Sequence, residues 1–260
     1  MPKFNSKNKD ISYKHTRIVR VISHYKNGSY STGTGFLINE NRNILTCWHV
    51  VFGEDLKILK GRPEFQKDTS TSEQDKVNKY FLDKISKIEV ELFDGRKVGV
   101  LLKFYDYYYD FAVLRIPKSV GKLPFFEIER EKFDYSDEIL FCGFQESHGY
   151  DSLNTPFAVN SGIVSSFPET EVTGGKYEYI QLNSINLGGN SGAPLFKKGS
   201  NKVYGIINGH YWRGRDDFAV FQHNNLVPGS LKVPLNIAYA TGFNFLSKES
   251  KIFQGLIDKL

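Results

Sequence analysis

"LGGNSGAP", residues 187–194, sets three glycines around Ser191 and closes on Pro194. Glycine at this density is entropically expensive and makes a poor helix or strand interior. The stretch reads in one of two ways. It is a tight turn between strands, or it is a backbone shaped to hold a nucleophile beside the amide donors that stabilise its product. Strand-like runs flank it, "YEYIQL" (177–182) before and "APLF" (193–196) and "KVYGIIN" (202–208) after.

"GNSGA" comes close to the G-x-S-x-G elbow of α/β-hydrolases, which requires a helix directly after the serine. Here Pro194, an apolar strand and a turn at "KKGSNK" follow instead, which argues against that elbow. The other enzyme reading needs a histidine and a carboxylate earlier in the chain. His49 ends the segment "GTGFLINENRNILTCWHVV", where a hairpin delivers a small apolar run and can hold a ring rigidly at a cleft. Asp110, in "YYYDFAVLRI", enters a strongly apolar strand. Its charge is expected to be partly buried and to need a donor such as an imidazole N–H. Each residue alone has an ordinary explanation; His49, Asp110 and Ser191 in this order and in these settings are a more specific signal.

The rest of the chain is short β-rich runs bounded by Gly, Asn or Asp. "TRIVRVIS" (16–23), "GTGFLI" (33–38), "KIEVELF" (87–93), "KVGVLLKF" (97–104) and "FAVLRI" (111–116) form a first set. Asp94–Gly95 between two alternating runs is a hairpin signal. "EILFCGF" (138–144), "FAVNSGIVSSF" (157–167), the runs around Ser191 and "FAVFQH" (218–223) form a second. Two batches of roughly six strands point to an all-β chain of paired barrels or a sandwich. Residues 54–86 break the pattern with the polar "KDTSTSEQDK". Within them Val77, Phe81 and Ile85, after a cap at Ser72, are spaced for a short helix. Ile252, Phe253, Leu256, Ile257 and Leu260 make one apolar stripe, a C-terminal helix.

At 260 residues, 40% apolar and 15% aromatic, the chain has ample material for a packed core. A net charge of +5 with scattered lysines gives little footing for nucleic-acid binding. No apolar run reaches the roughly 18–20 residues of a membrane span. The first twenty residues hold no signal-peptide core. Cys47 and Cys142, too few for a disulfide framework, read as small buried hydrophobes in a reducing compartment, so the expected placement is cytoplasmic. Neither a phosphate loop nor a zinc-type cysteine pattern appears. The basic run Lys3, Lys7, Lys9 and Lys14 reads as a solvated arm, and the tyrosines at 105 and 107–109 as core packing.

These segments together resemble the trypsin-like serine proteases, most closely the HtrA-type branch. "GTGFLINENRNILTCWHVV" is similar to that family's histidine segment and "VELFDGRKVGVLLKFYDYYYDFAVLRI" to its hairpin and aspartate strand. "YIQLNSINLGGNSGAPLF" is similar to its serine segment, and "KVYGIIN" to the strand lining its cleft. The match covers roughly residues 16 to 240. The resemblance implies one protease domain over 1–260, with six-stranded antiparallel β-barrels at about 16–116 and 135–235, a C-terminal helical segment at 236–260, and no PDZ module. It implies a serine endopeptidase acting on protein or peptide substrates with Ser191 as nucleophile, His49 as base and Asp110 orienting the imidazole, without metal or cofactor. The amides of Gly189 and Ser191 would form the oxyanion hole, and a side chain at position 189 would push that peptide out of register.

Departures from the family pattern carry their own expectations. Asn190 stands where zymogen-activated relatives have an aspartate, so it cannot pair with a new N-terminus. Gly188 replaces a proline and Ala193 a glycine, both small. Asn208 replaces a Ser or Thr that supports the buried aspartate, and its amide would donate instead. Ile185 aligns near the bottom of the primary pocket; an apolar base there favours small or aliphatic side chains over Lys or Arg. Gly209 and His210 lie on the strand beside the cleft. The 54–86 insertion is open between a tolerated surface elaboration and a lid, partner site or oligomer contact. The alternative to an enzyme is a protease-fold protein that binds polypeptide but cleaves poorly.

Overall fold

The computed structural model describes residues 9–53, 79–80, 82–106, 108–145, 153–172, 175–222 and 225–258, and the side chains of these except 9–10, 170–172, 175–176, 210–222 and 225–236. The first half is built from β1 (Ile18–Tyr25), β2 (Tyr30–Leu37), β3 (Asn43–Thr46), β4 (Ile85–Glu91), β5 (Lys97–Gly99), β6 (Leu101–Asp106) and β7 (Phe111–Arg115). They form one seven-stranded antiparallel sheet in the order β5-β4-β1-β2-β3-β7-β6. The second half, β8 (Glu138–Phe144), β9 (Phe157–Ser166), β12 (Ile180–Asn183), β13 (Pro194–Lys197), β14 (Gly205–Gln222) and β15 (Asn225–Gly242), closes into a six-stranded barrel. A separate hairpin, β10 (Glu169–Val172) and β11 (Gly175–Glu178), precedes β12.

The expected two six-stranded barrels are thus a half-barrel and a closed barrel. "KVGVLLKF" splits at Val100, whose amide turns to Ile88 O at 3.0 Å, so β5 and β6 fall on opposite edges of the sheet. The Asp94–Gly95 hairpin is present, with Gly95 at φ +84° and Glu91 paired to Lys97. The two runs expected at 202–208 and 218–223 are joined in one long strand from Gly205 to Gln222, because β14 pairs with β15 from Gly205↔Gly242 to Gln222↔Asn225 across three register shifts; His223 lies outside the described residues. The second barrel therefore runs to Gly242, beyond the expected boundary at 235.

Helices α1 (Lys9–His15), α2 (Trp48–Phe52), α3 (Phe243–Glu249) and α4 (Lys251–Ile257) attach to this frame. The described part of the C-terminal stripe lies on α4, and a second helix, α3, precedes it. Phe243, Leu246, Phe253 and Leu256 are buried, Ile252 stays exposed, and Leu260 lies outside the described residues. Phe253 packs edge-on against Phe111 at 5.5 Å, which seats α4 beneath the Asp110 strand. In the insertion, residues 79–80 and 82–84 are helical, but Ile85 starts β4, and Ser72, Val77 and Phe81 lie outside the described residues.

Lys14 corrects another expectation. It is 1% exposed, donates to Asn201 Oδ1 at 2.9 Å and lies 4.9 Å from the centre of the Phe196 ring, so the arm reading fails there. A buried ammonium survives because an amide oxygen and an aromatic face replace its water. Lys3 and Lys7 lie outside the described residues. Tyr109 is buried, while Tyr105 and Tyr108 pack half-buried on the same core; Tyr107 lies outside the described residues.

That core runs from Ile18 and Phe36 through Phe111 to Phe196 and Phe253, joining the sheet, the barrel and the C-terminal helices. A second core, with Phe133, Ile139, Leu182 and Leu195, fills the closed barrel.

Candidate active site

His49 stands on α2, a five-residue helix that the strand pattern gave no sign of. Trp48, Val50, Val51 and Phe52 are buried around it, and Gly53 ends the helix in a left-handed conformation at φ +64°. With these four neighbours facing the core, the imidazole is the side chain of the helix that faces outward, 28% exposed. Its Nδ1 lies 2.9 Å from Asp110 Oδ2 and 3.0 Å from Oδ1, and its own backbone amide donates to Oδ1 at 3.1 Å.

Asp110 precedes β7 with φ +53°, a conformation that disfavours most side chains and that aspartate tolerates better. Such strain costs on the order of 1–3 kcal/mol and persists where the surroundings over-determine it. Those surroundings are the two His49 donors and Asn208 Nδ2, which approaches Asp110 Oδ2 at 3.4 Å. A buried carboxylate needs such donors to stay ionised. The donor expected from Asn208 is in place, at the long end of the range.

Asn208 reaches both sides of the site. Its side chain faces Asp110, and its carbonyl accepts from Ser191 Oγ at 3.4 Å. The structure thus brings His49, Asp110 and Ser191 to one locus, with the serine hydroxyl turned to the Asn208 carbonyl.

The glycine-rich stretch explains itself here. Gly189 has φ +83° and Gly192 φ +87°. A Cβ on Gly192 would sit 1.9 Å from Thr34 O, so no side chain fits. The β2 residue Thr34 holds the loop from the other half of the molecule. Its amide donates to Ser191 O at 2.8 Å, and its hydroxyl donates to Gly189 O at 2.7 Å while accepting from Phe144 N at 3.0 Å. Among the described residues neither the Gly189 nor the Ser191 amide donates to a backbone carbonyl. Asn190 is fully buried with Nδ2 on Gln145 Oε1 at 3.0 Å.

Thr34 and Gly192 were not singled out by sequence reading. "GTGF" carried the first, but the Ser191 loop that it holds lies more than 150 residues away.

The remaining expected residues are more dispersed. Ile185 is 53% exposed between buried Ser184 and Asn186, and so is an open apolar surface rather than an enclosed floor. Gly209 accepts from Asn186 Nδ2 at 2.8 Å. His210 pairs with Ala238 through its backbone, and its side chain lies outside the described residues. The 54–78 part of the insertion, with the lid or partner role weighed for it, also lies outside them.

Cys47 and Cys142 are both buried, as expected. The sulfur of Cys47 and ligand atoms of His49 and Asp110 lie within 4.8 Å of one another, the arrangement closest to a metal site among the described residues. Burial, with help from the nearby Asp110 charge, pushes the Cys47 thiol well above its ordinary range. Its proton is given to Ile207 O at 3.3 Å, and the imidazole Nδ1 is paired with the Asp110 carboxylate. A neutral thiol beside a paired His–Asp fits a hydrogen-bonded site better than a cation site.

No helix among the described residues is long and apolar enough to cross a membrane. No curated protein sequence matches the chain. Among solved structures it is similar to the Rv3671c protease from M. tuberculosis in its active form, at 12% identity and TM-score 0.61, covering 96% of this chain and 92% of that one. That likeness establishes the shared two-barrel fold. The sequence profile of the trypsin-like peptidase domain matches residues 33–206, from the start of the histidine segment into β14. The chain belongs to the trypsin-like peptidase family.

Proposed function

We propose that the chain is a serine endopeptidase of the HtrA-type branch in which Ser191, His49 and Asp110 act as a triad on protein substrates. The observation that carries this reading is the imidazole fixed by Asp110 at 2.9 Å, with the Asn208 residue that supports the carboxylate also touching Ser191 Oγ. Ser191 Oγ attacks the scissile carbonyl carbon while His49 Nε2 takes its proton. The amides of Gly189 and Ser191 receive the developing oxyanion. His49 then returns the proton to the leaving amine, and water hydrolyses the resulting ester by the same route. Asp110 holds Nδ1–H and stabilises the imidazolium without itself taking the proton. The chemistry asks for no metal or cofactor.

Ile185 offers no charge to a Lys or Arg side chain, which favours small or aliphatic residues at the cleavage position. The reading takes 1–260 as a single protease domain and places it in the cytoplasm, on two buried cysteines that are too few for a disulfide framework.

A second reading rests on the Ser191 hydroxyl, which bonds the Asn208 carbonyl instead of the imidazole. A gated or silent protease fold that binds polypeptide would look the same. Catalytic hydrogen bonds are commonly long before substrate binds, so the enzyme reading is preferred. A fluorophosphonate probe separates the two. Rapid labelling that disappears in Ser191→Ala supports the enzyme; a folded protein that stays unlabelled in the presence of cleavable polypeptide supports the binder.

A further inference from the structure

Behind Asp110 the hydrogen bonds continue past Asn208 into the barrel. Asn208 Oδ1 accepts from Thr241 Oγ1 at 2.7 Å, and Thr241 Oγ1 lies 2.7 Å from the Tyr177 hydroxyl. Thr241 and Tyr177 are both buried, on β15 and β11. The proton order along this line is forced by elementary counting. An ionised carboxylate only accepts, so the Asn208 amide must present its nitrogen to Asp110 and its oxygen to Thr241. Thr241 then spends its single hydrogen on Asn208 and can only accept from Tyr177. The Tyr109 carbonyl, 3.2 Å from the Tyr177 oxygen, is the more distant competitor for the tyrosine proton.

An asparagine has two nearly isosteric amide orientations, and the wrong one would aim a carbonyl oxygen at the carboxylate. We propose that Thr241, backed by Tyr177, is a positioning residue that selects the Asn208 amide orientation in which Nδ2 donates to Asp110. This rests on the triad reading of the same site. A serine at position 208 could rotate its hydroxyl to suit and would need no such selector; an amide does.

Removing the selector lets the amide turn away. The carboxylate charge then acts on the imidazole undiminished, so the imidazolium is favoured and the acid limb of activity moves to higher pH. The ionisable groups around the line are His49 and Asp110 at one end, Cys47 beside Asn208, and Tyr109 and Tyr179 around Tyr177. Asp106, Tyr108 and Glu249 act on Tyr109, and Tyr239 on Tyr179. Burial pushes Cys47 and Tyr177 well up and Tyr109 and Tyr179 to about 12, so these four stay neutral across an assay from pH 5 to 9.

The test is the pH profile of Ser191-dependent turnover, with the His49 ring titration followed by NMR. Thr241→Val should raise the acid limb by about half a unit or more, which is roughly a threefold loss of kcat/KM below the limb, with KM for a peptide unchanged. Thr241→Ser should restore the wild-type limb, and Tyr177→Phe should shift it in the same direction by less. In an Asn208→Ala background Thr241→Val should add nothing. A folded Thr241→Val with the wild-type limb, or one whose shift persists undiminished without Asn208, overturns the proposal. Where Thr241→Val does not fold, an unshifted limb in Tyr177→Phe overturns it. If the wild type labels with no probe and cleaves nothing, the protease reading fails; the His49 titration in the same variants still decides the positioning role, an unmoved ring overturning it.

Discussion

Replacing Thr34 by valine deletes one hydroxyl while keeping the shape of the side chain. In the structure that hydroxyl donates to Gly189 O and accepts from Phe144 N, so two buried backbone groups lose a partner together. An unsatisfied buried polar group costs about 1–3 kcal/mol, and carbonyls with a second lone pair sit at the low end. A destabilisation of roughly 2–4 kcal/mol follows, or a Tm lower by about 5–15 °C for a chain of this size. The effect on chemistry is separable. The hydroxyl pins the Gly189 peptide whose amide is assigned to the oxyanion, and losing one such donor lowers kcat by about 10²–10³-fold. A loosened donor should cost part of that, about 10–100-fold in the rate of fluorophosphonate acylation, measured well below the new Tm. Thr34→Ser keeps both hydrogen bonds and should acylate near the wild-type rate. Thr34→Val acylating as fast as wild type would refute the argument that this contact orients the loop.

Gly192→Ala places a Cβ 1.9 Å from Thr34 O on a backbone at φ +87°. We expect a loss of about 2–5 kcal/mol, combining overpacking with left-handed strain, read as a lower denaturant midpoint. Cys47 should resist iodoacetamide up to pH 9 in the native protein and react in denaturant, because burial keeps its thiol protonated; rapid native alkylation by mass spectrometry would contradict this.

The features legible in the sequence were those with a local signature. Alternating runs gave most strands, and Asp94–Gly95 gave its hairpin. The settings of His49, Asp110 and Ser191 gave a candidate site that the fold gathers in one place. What was missed depends on distant partners or weak local signals. Helix α2 is too short to show a helical period, since all its neighbours of His49 are apolar. The half-barrel differs from a closed one only in where β5 and β6 end up, which the break at Val100 decides. Lys14 looks like any surface lysine until Asn201, 187 positions away, meets its ammonium. Thr34 and Thr241 are anonymous hydroxyls whose meaning comes from the groups they touch.

The buried Lys14 has a practical consequence. It latches helix α1 onto Phe196, on the strand that leaves the Ser191 loop, so the front of the chain is part of the scaffold. Trimming the protein at residue 16, where the strand pattern begins, would strip this cover from Asn201 and the ring beneath it. Affinity tags and fusion partners are better placed with α1 left whole.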